Sequence, residues 1–138
     1  MFTYLPFDQV KNISVLGTGT MGASWVSYFL AQGYNVSAWD PSDGWESRLR
    51  TFIDTAWPQL ESLGLASNAS KTALTFNNSP ESCVANADFV QENAPERLEI
   101  KQELYAKIDH AMPDHTIFST STSGLILSDL VTSVDTAH

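Results

Sequence analysis

Three glycines and one aspartate carry the first recognisable chemistry in this sequence. Gly17, Gly19 and Gly22 form G-x-G-x-x-G directly after the apolar run Ile13, Val15 and Leu16; Asp40 closes a second such run at residues 34–39. The residue types suit the holding of a dinucleotide. Gly17 lets the chain turn sharply off a strand. Gly19 has no Cβ, so a pyrophosphate can approach the backbone, and Gly22 lets a helix pack tightly on the strand. The helix starting near Thr20 and Met21 offers unpaired N–H groups and a positive dipole end to phosphate, which puts both residues in the expected cofactor site. A carboxylate at Asp40 accepts hydrogen bonds from both ribose hydroxyls and repels a 2′-phosphate, so NAD is expected over NADP. A glycine motif alone is a weak sign. Here the strand before it, the helix after it and the acid at the right distance complete a βαβ unit. The bland alternative is a degenerate unit of the same shape that binds nothing.

Two further stretches follow predicted strands and are expected on the same sheet edge: the loop 92–96 and the hydroxyl-rich run 119–124. A nicotinamide ring and a hydroxy substrate fit between them, with the Ser123 hydroxyl bonded to the substrate alcohol. Such a run by itself is ordinarily a solvated turn. Hydride transfer also needs a group to take the alcohol proton. His110 ends a predicted helix, His115 precedes a strand on the side away from the site, and His138 is the last residue. None suits the task, so the base is expected outside this chain. Cys83 reads as a small buried apolar residue rather than a nucleophile, and no metal site is expected.

The elements that must position these groups alternate. Strands are predicted at 12–16, 35–39, 73–76, 87–91 and from 115 to 118. Helices are predicted at 20–32, 45–63, 80–86, 97–110 and around 127–131. Trp25, Phe29 and Leu30 are expected to face the sheet from the first helix. Leu49, Phe52, Ile53, Ala56, Leu60 and Leu63 form the inner stripe of the second, which Trp57-Pro58 is expected to kink or split. Trp45 and Trp57 read as packing residues. In the fourth helix Leu98, Leu104, Tyr105 and Ile108 point inward; Lys101 and Tyr105, four apart, also read as surface neighbours, as do Glu99 and Glu103. Strand–helix alternation predicts an α/β fold, a Rossmann-type, doubly wound, mostly parallel sheet.

The totals bound the function. The chain has 138 residues, 43% hydrophobic and 17% charged, enough for one domain with a real core. Its net charge is −9, with seven Lys and Arg, which argues against nucleic acid as a partner. No apolar run is long enough to span a bilayer, and residues 1–11 lack a basic n-region and a sustained apolar core, so a cytoplasmic location is expected. Phe2, Tyr4, Leu5 and Phe7 in that leader carry no assigned chemistry. One cysteine excludes an internal disulfide.

Four motifs in order resemble the NAD-binding domain of the 3-hydroxyacyl-CoA dehydrogenase family: V-L-G-T-G-T-M-G from Val15, A-W-D-P from Ala38, A-D-F-V-Q-E-N-A-P-E-R-L-E-I-K-Q-E-L from Ala87, and H-T-I-F-S-T-S-T-S-G-L from His115. Within the family, Q-E-N-A-P-E-R and S-T-S-G-L most resemble the branch acting on L-carnitine, followed by the L-gulonate 3-dehydrogenase (lambda-crystallin) branch. The resemblance implies that Gly17, Gly19 and Gly22 hold the pyrophosphate, that Asp40 holds the adenosine ribose, and that Glu96 and Lys101 lie near the cofactor in an E-x-x-x-x-K motif. It makes Ser123 the serine that contacts the substrate oxygen. Ser121 stands where the family often has an asparagine that contacts cofactor or substrate. The resemblance also implies a catalytic His and its Glu partner beyond this chain, in an H-x-F-N-P context, and a helical C-terminal domain that completes the site and a homodimer. Residues 1–138 are expected to be the NAD-binding domain alone. Segment 42–71 offers only Arg48, Arg50 and Lys71 against Asp43, Glu46, Asp54 and Glu61, a poor site for the polyanion coenzyme A. A small cationic or zwitterionic alcohol such as L-carnitine is the favoured substrate. An acyl-CoA or sugar-acid dehydrogenase, and a non-catalytic nucleotide-binding module, stay open.

Overall fold

The computed structural model describes residues 3–136. His138 and Phe2 lie outside the described residues. Five parallel strands form one sheet: β1 (Asn12–Leu16), β2 (Asn35–Trp39), β3 (Leu74–Phe76), β4 (Phe89–Glu92) and β5 (Ile117–Thr120), in the order β3-β2-β1-β4-β5. The helices between them are α1 (Thr20–Ala31), α2 (Trp45–Leu63), α3 (Pro80–Val84), α4 (Leu98–Ile108) and α5 (Leu127–Leu130). This is the doubly wound α/β sheet that the alternation of elements predicts, and its strand order reverses between β1 and β4. At such a reversal the loops leaving the two strands go to opposite faces and open a crevice at their C-terminal ends.

Period-two alternation along β1 feeds two cores. Ile13 and Val15 join α1, α2 and β2 on one face; Leu16 joins Val90, Cys83 and α4 on the other. Ser14, between them, is buried and donates its hydroxyl proton to the carbonyl of Cys83 at 2.5 Å. Leu49, Ile53, Trp45 and Trp57 are buried on α2, as packing residues should be.

Several details depart from the sequence reading. Trp25 does not face the sheet. It stays 37% exposed and stacks on Phe29, centroids 5.3 Å apart, while Phe29 and Leu30 take the buried positions. The inner stripe of α2 stops short of Leu63, which is exposed. Pro58 neither ends nor splits α2, which runs through it unbroken. Ala73 belongs to a 3-10 turn, and β4 and β5 each begin two residues later than predicted. Asp88 causes the delay in β4. Its carboxylate accepts from the Lys11 and Asn12 backbone N–H groups at 2.9 Å, capping the sheet edge instead of extending a strand. Lys101 and Tyr105 are buried, not on the surface of α4. Charge and helical spacing suggest an exposed lysine; what buries it is a partner from another element.

Candidate cofactor and substrate site

The crevice between β1 and β4 is walled by the glycine loop. Gly17 follows β1 with φ +87°, a conformation that side chains rarely adopt, and a Cβ there would lie 2.8 Å from the Asn93 carbonyl. The loop after β4 therefore leans directly on Gly17, and Asn93 N–H donates to the Leu16 carbonyl at 2.7 Å. A Cβ on Gly22 would fall 1.8 Å from the Gly17 carbonyl oxygen, so α1 sits hard against the turn. Gly19 differs. A Cβ there would meet nothing within 4 Å, so no contact among the described residues demands glycine at this position. The open space lies over the α1 N-terminus, where the Thr20, Met21 and Gly22 N–H groups have no partner one turn back. That cradle fits a pyrophosphate. Gly17 and Gly19 line a cleft of about 470 Å³ shared with Trp39, Asp40, Asn93 and Pro95.

At the other end of the cleft stands Asp40. One carboxylate oxygen accepts from Thr18 N–H at 2.8 Å, the other from Ser42 N–H at 2.9 Å and the Ser42 hydroxyl at 2.5 Å. Partial burial pushes its pKa up, but the Ser42 and Thr18 hydrogen bonds outweigh burial and hold it below the ordinary 3.8. Asp40 is an anion fixed in place and only half-buried, with one lone-pair position on its Thr18-bonded oxygen left for a ribose hydroxyl.

Glu96 sits in the loop between β4 and α4, exposed. Its carboxylate takes the Thr122 hydroxyl and the Ser123 and Gly124 N–H groups, at 3.3 and 3.1 Å for the latter two. These bonds, the Thr122 hydroxyl foremost, lower its pKa. Ser121 donates to the Asn93 side chain at 2.7 Å and accepts from Gln91 at 2.7 Å. The two loops read separately in the sequence are thus sewn together, with the Ser123 side chain exposed at their rim.

Beneath them lies a residue that the sequence reading missed. Glu92, the last residue of β4, is fully buried and pairs with Lys101 at 2.7 Å. Lys101 Nζ also donates to the Ala94 carbonyl at 3.0 Å, and Thr120 gives its hydroxyl proton to the second Glu92 oxygen at 2.5 Å. Lys101, 1% exposed, touches the loop backbone from below, not the open cleft. The available signal was a charged residue ending an apolar strand nine positions before a lysine. The Tyr105 hydroxyl is buried beside this group without a hydrogen-bond partner among the described residues, and burial pushes its pKa up.

The histidines lie elsewhere. His115 Nε2 meets Asp88 at 2.9 Å at the N-terminal sheet edge, as expected. His110 lies beside Asp109 and Asp135, and these form the one set of three potential metal-ligating side chains among the described residues. Asp109 spends its carboxylate there on Asp135 and Thr136 N–H groups, and His110 and Asp135 are exposed. Cys83 is buried, and desolvation pushes its thiol up to about 12, as suits an inert packing residue. Among the described residues no helix is long and apolar enough to cross a membrane.

Comparison with known proteins agrees with this geometry. The L-carnitine dehydrogenase of Streptomyces griseus subsp. griseus is 46% identical over 125 residues, covering 91% of this chain and 37% of that protein. That of Pseudomonas putida is 48% identical over 126 residues, covering 91% and 39%. The chain therefore spans well under half the length of these curated relatives. Among solved structures, an NAD+-dependent dismutase, 5-formyl-3-hydroxy-2-methylpyridine 4-carboxylic acid 5-dehydrogenase, superposes with a TM-score of 0.81 at 30% identity, covering 92% of this chain and 41% of that one. The 3-hydroxybutyryl-CoA dehydrogenase from Escherichia coli K12 gives 0.79 at 27% identity, covering 92% and 28%. The family model for the 3-hydroxyacyl-CoA dehydrogenase NAD binding domain matches residues 12–138, and the chain belongs to that family.

Proposed function

We propose that this domain is the NAD-binding part of a dehydrogenase that oxidises L-carnitine to 3-dehydrocarnitine. The observation that carries this reading is 46–48% identity, over nine-tenths of the chain, to proteins named L-carnitine dehydrogenase. The surface supports it. Each basic side chain of segment 42–71 is already engaged: Arg48 with Ser42 and the Asp43 carbonyl, Arg50 over the Phe76 ring at 4.6 Å, and Lys71 with Asp54 at 2.9 Å. All three are tied to neighbours on the protein, a poor arrangement for a polyanion such as coenzyme A, and a net charge of −9 favours a cationic alcohol.

In this reading the Gly17–Gly22 turn and the first N–H groups of α1, at Thr20 and Met21, hold the pyrophosphate. Asp40 holds the adenosine ribose. When bound, NAD supplies the hydride acceptor. Glu96 and Ser121 border the nicotinamide end, and Ser123 offers its hydroxyl to the substrate oxygen. Lys101 acts as a positioning residue, holding the loop through Ala94. The general base is a histidine of a C-terminal helical domain beyond these residues. The full-length protein works as a homodimer in the cytoplasm.

The test begins with calorimetry of this chain against NADH and NADPH. Selective NADH binding is expected. The full-length protein is then assayed for NAD reduction with L-carnitine and with 3-hydroxybutyryl-CoA. Turnover of the thioester alone would overturn the carnitine assignment and leave the cofactor assignment standing.

A further inference from the structure

We infer that Thr18, Ser42 and Arg48 form an anion-binding nest, filled in this protein by its own Asp40 carboxylate, and that Arg48 is the second determinant of cofactor choice. The inference rests on the NAD-binding reading of the cleft and goes beyond the aspartate.

Three donors converge on the carboxylate: Thr18 N–H at 2.8 Å, Ser42 N–H at 2.9 Å and the Ser42 hydroxyl at 2.5 Å. Behind the hydroxyl stands a cation. Arg48 Nη2 donates to Ser42 Oγ at 2.8 Å, and its Nη1 donates to the Asp43 carbonyl at 2.7 Å. The hydroxyl thus passes its single proton to Asp40 while its lone pair takes the guanidinium. Two of the five guanidinium N–H donors are used in these contacts. Two backbone N–H groups, a hydroxyl and a guanidinium one bond behind them are the donor set that a phosphate takes. Asp40 occupies that set with an anion of the protein's own and keeps an outward edge for a ribose hydroxyl.

Arg48 therefore has two effects. With Asp40 present it orients Ser42, and through it the carboxylate that a ribose meets. With Asp40 removed it becomes the charge that a 2′-phosphate meets. Asp43 and Glu46, which border the neighbouring basin with Asp40, oppose that phosphate. The gain expected from removing Asp40 is accordingly modest, roughly tenfold in affinity, equivalent to one well-made charge-assisted contact.

The experiment is a calorimetric titration of NADH and NADPH into the wild-type chain, Asp40→Ala, Arg48→Ala and the double variant, with thermal melts of each. Asp40→Ala should bind NADH about tenfold more weakly and NADPH about tenfold more tightly than wild type. Adding Arg48→Ala should abolish the NADPH gain. Should Asp40→Ala fail to melt cooperatively, Asp40→Ser, which removes the carboxylate and leaves the nest open, serves for the same comparison. An unchanged NADPH affinity without Asp40, or a gain that survives loss of Arg48, overturns the nest while leaving NADH binding by the wild type intact. A wild-type chain that binds neither dinucleotide overturns the cofactor reading itself and this inference with it.

Discussion

Two carboxylates end the strands that flank β1, and they have opposite fates. Asp40, just past β2, is half-exposed and held by two backbone N–H groups and one hydroxyl. Glu92, the last residue of β4, is fully buried and spends its side-chain oxygens on Lys101 and Thr120. The first has an edge left for a ligand. The second has none, and its work is mechanical: it joins β4 to α4 and β5, and through Lys101 and Ala94 it supports the loop that carries Glu96. Two acids one residue apart in height on one sheet thus differ in solvent access: Asp40 is open to a ligand, whereas Glu92 serves support alone. The cost of error differs as well. Loss of a half-exposed acid costs the fold its few hydrogen bonds, whereas a buried pair that loses one partner leaves a charge stranded out of water.

The largest expected effect tests the buried end. Lys101→Met should destabilise the domain by about 3–5 kcal/mol, because Glu92 is left buried and uncompensated. Combining it with Glu92→Leu should recover most of that loss, since replacing both members of a buried pair is often close to neutral. Urea unfolding of the wild type, both single variants and the double variant measures the coupling. A Lys101→Met loss below about 1 kcal/mol, the range of exposed pairs, would break the contrast with the open end.

The glycines sharpen the same division at intermediate scale. Gly17→Ala forces a side chain into a positive-φ turn and onto the Asn93 carbonyl, and should cost about 1–3 kcal/mol of stability. Gly19→Ala meets no protein atom and has an ordinary φ of −61°, so its melting temperature should stay close to wild type while NADH affinity falls at least tenfold. Equal loss of stability in the two variants would show that Gly19 serves the fold.

The smallest effect is on pH. Asp40, Asp88 and Asp109 all have pKa values held below 3.8. Burial pulls each upward, and hydrogen bonds from Ser42 and Thr18, from Lys11, Asn12 and His115, and from Thr136 and Asp135 outweigh it. A depressed folded-state pKa stabilises above the unfolded value and loses that contribution as pH falls through the folded one. The contribution of these carboxylates should be constant from neutral pH down to about 5 and decline below about 4. Melting temperatures across that range, with Asp88→Asn as the variant that should blunt the acid limb, check it.

Much of the site was legible because its signals are local. A strand, three glycines at fixed offsets and an acid one βαβ unit later lie within 29 residues, Asn12 to Asp40. Backbone conformation there is dictated by the absence of a Cβ, which a sequence displays directly. Trp25 was misread because helical spacing marks a face without saying how far the sheet beneath extends. Lys101 was misread for a deeper reason. A lysine on a helix is ordinarily solvated, and only a partner brought from β4 makes its burial tolerable.

Sequence by itself determined the α/β alternation, the parallel sheet, the glycine turn and the acid that ends β2, because each follows from local propensity and short-range periodicity. Tertiary structure alone decided that Glu92 pairs with Lys101, that Glu96 ties its loop to residues 122–124, and that Arg48 stands behind Ser42 and Asp40. Those contacts join side chains from different elements, whose approach depends on how helices pack on the finished sheet, and no local pattern in the chain encodes that approach.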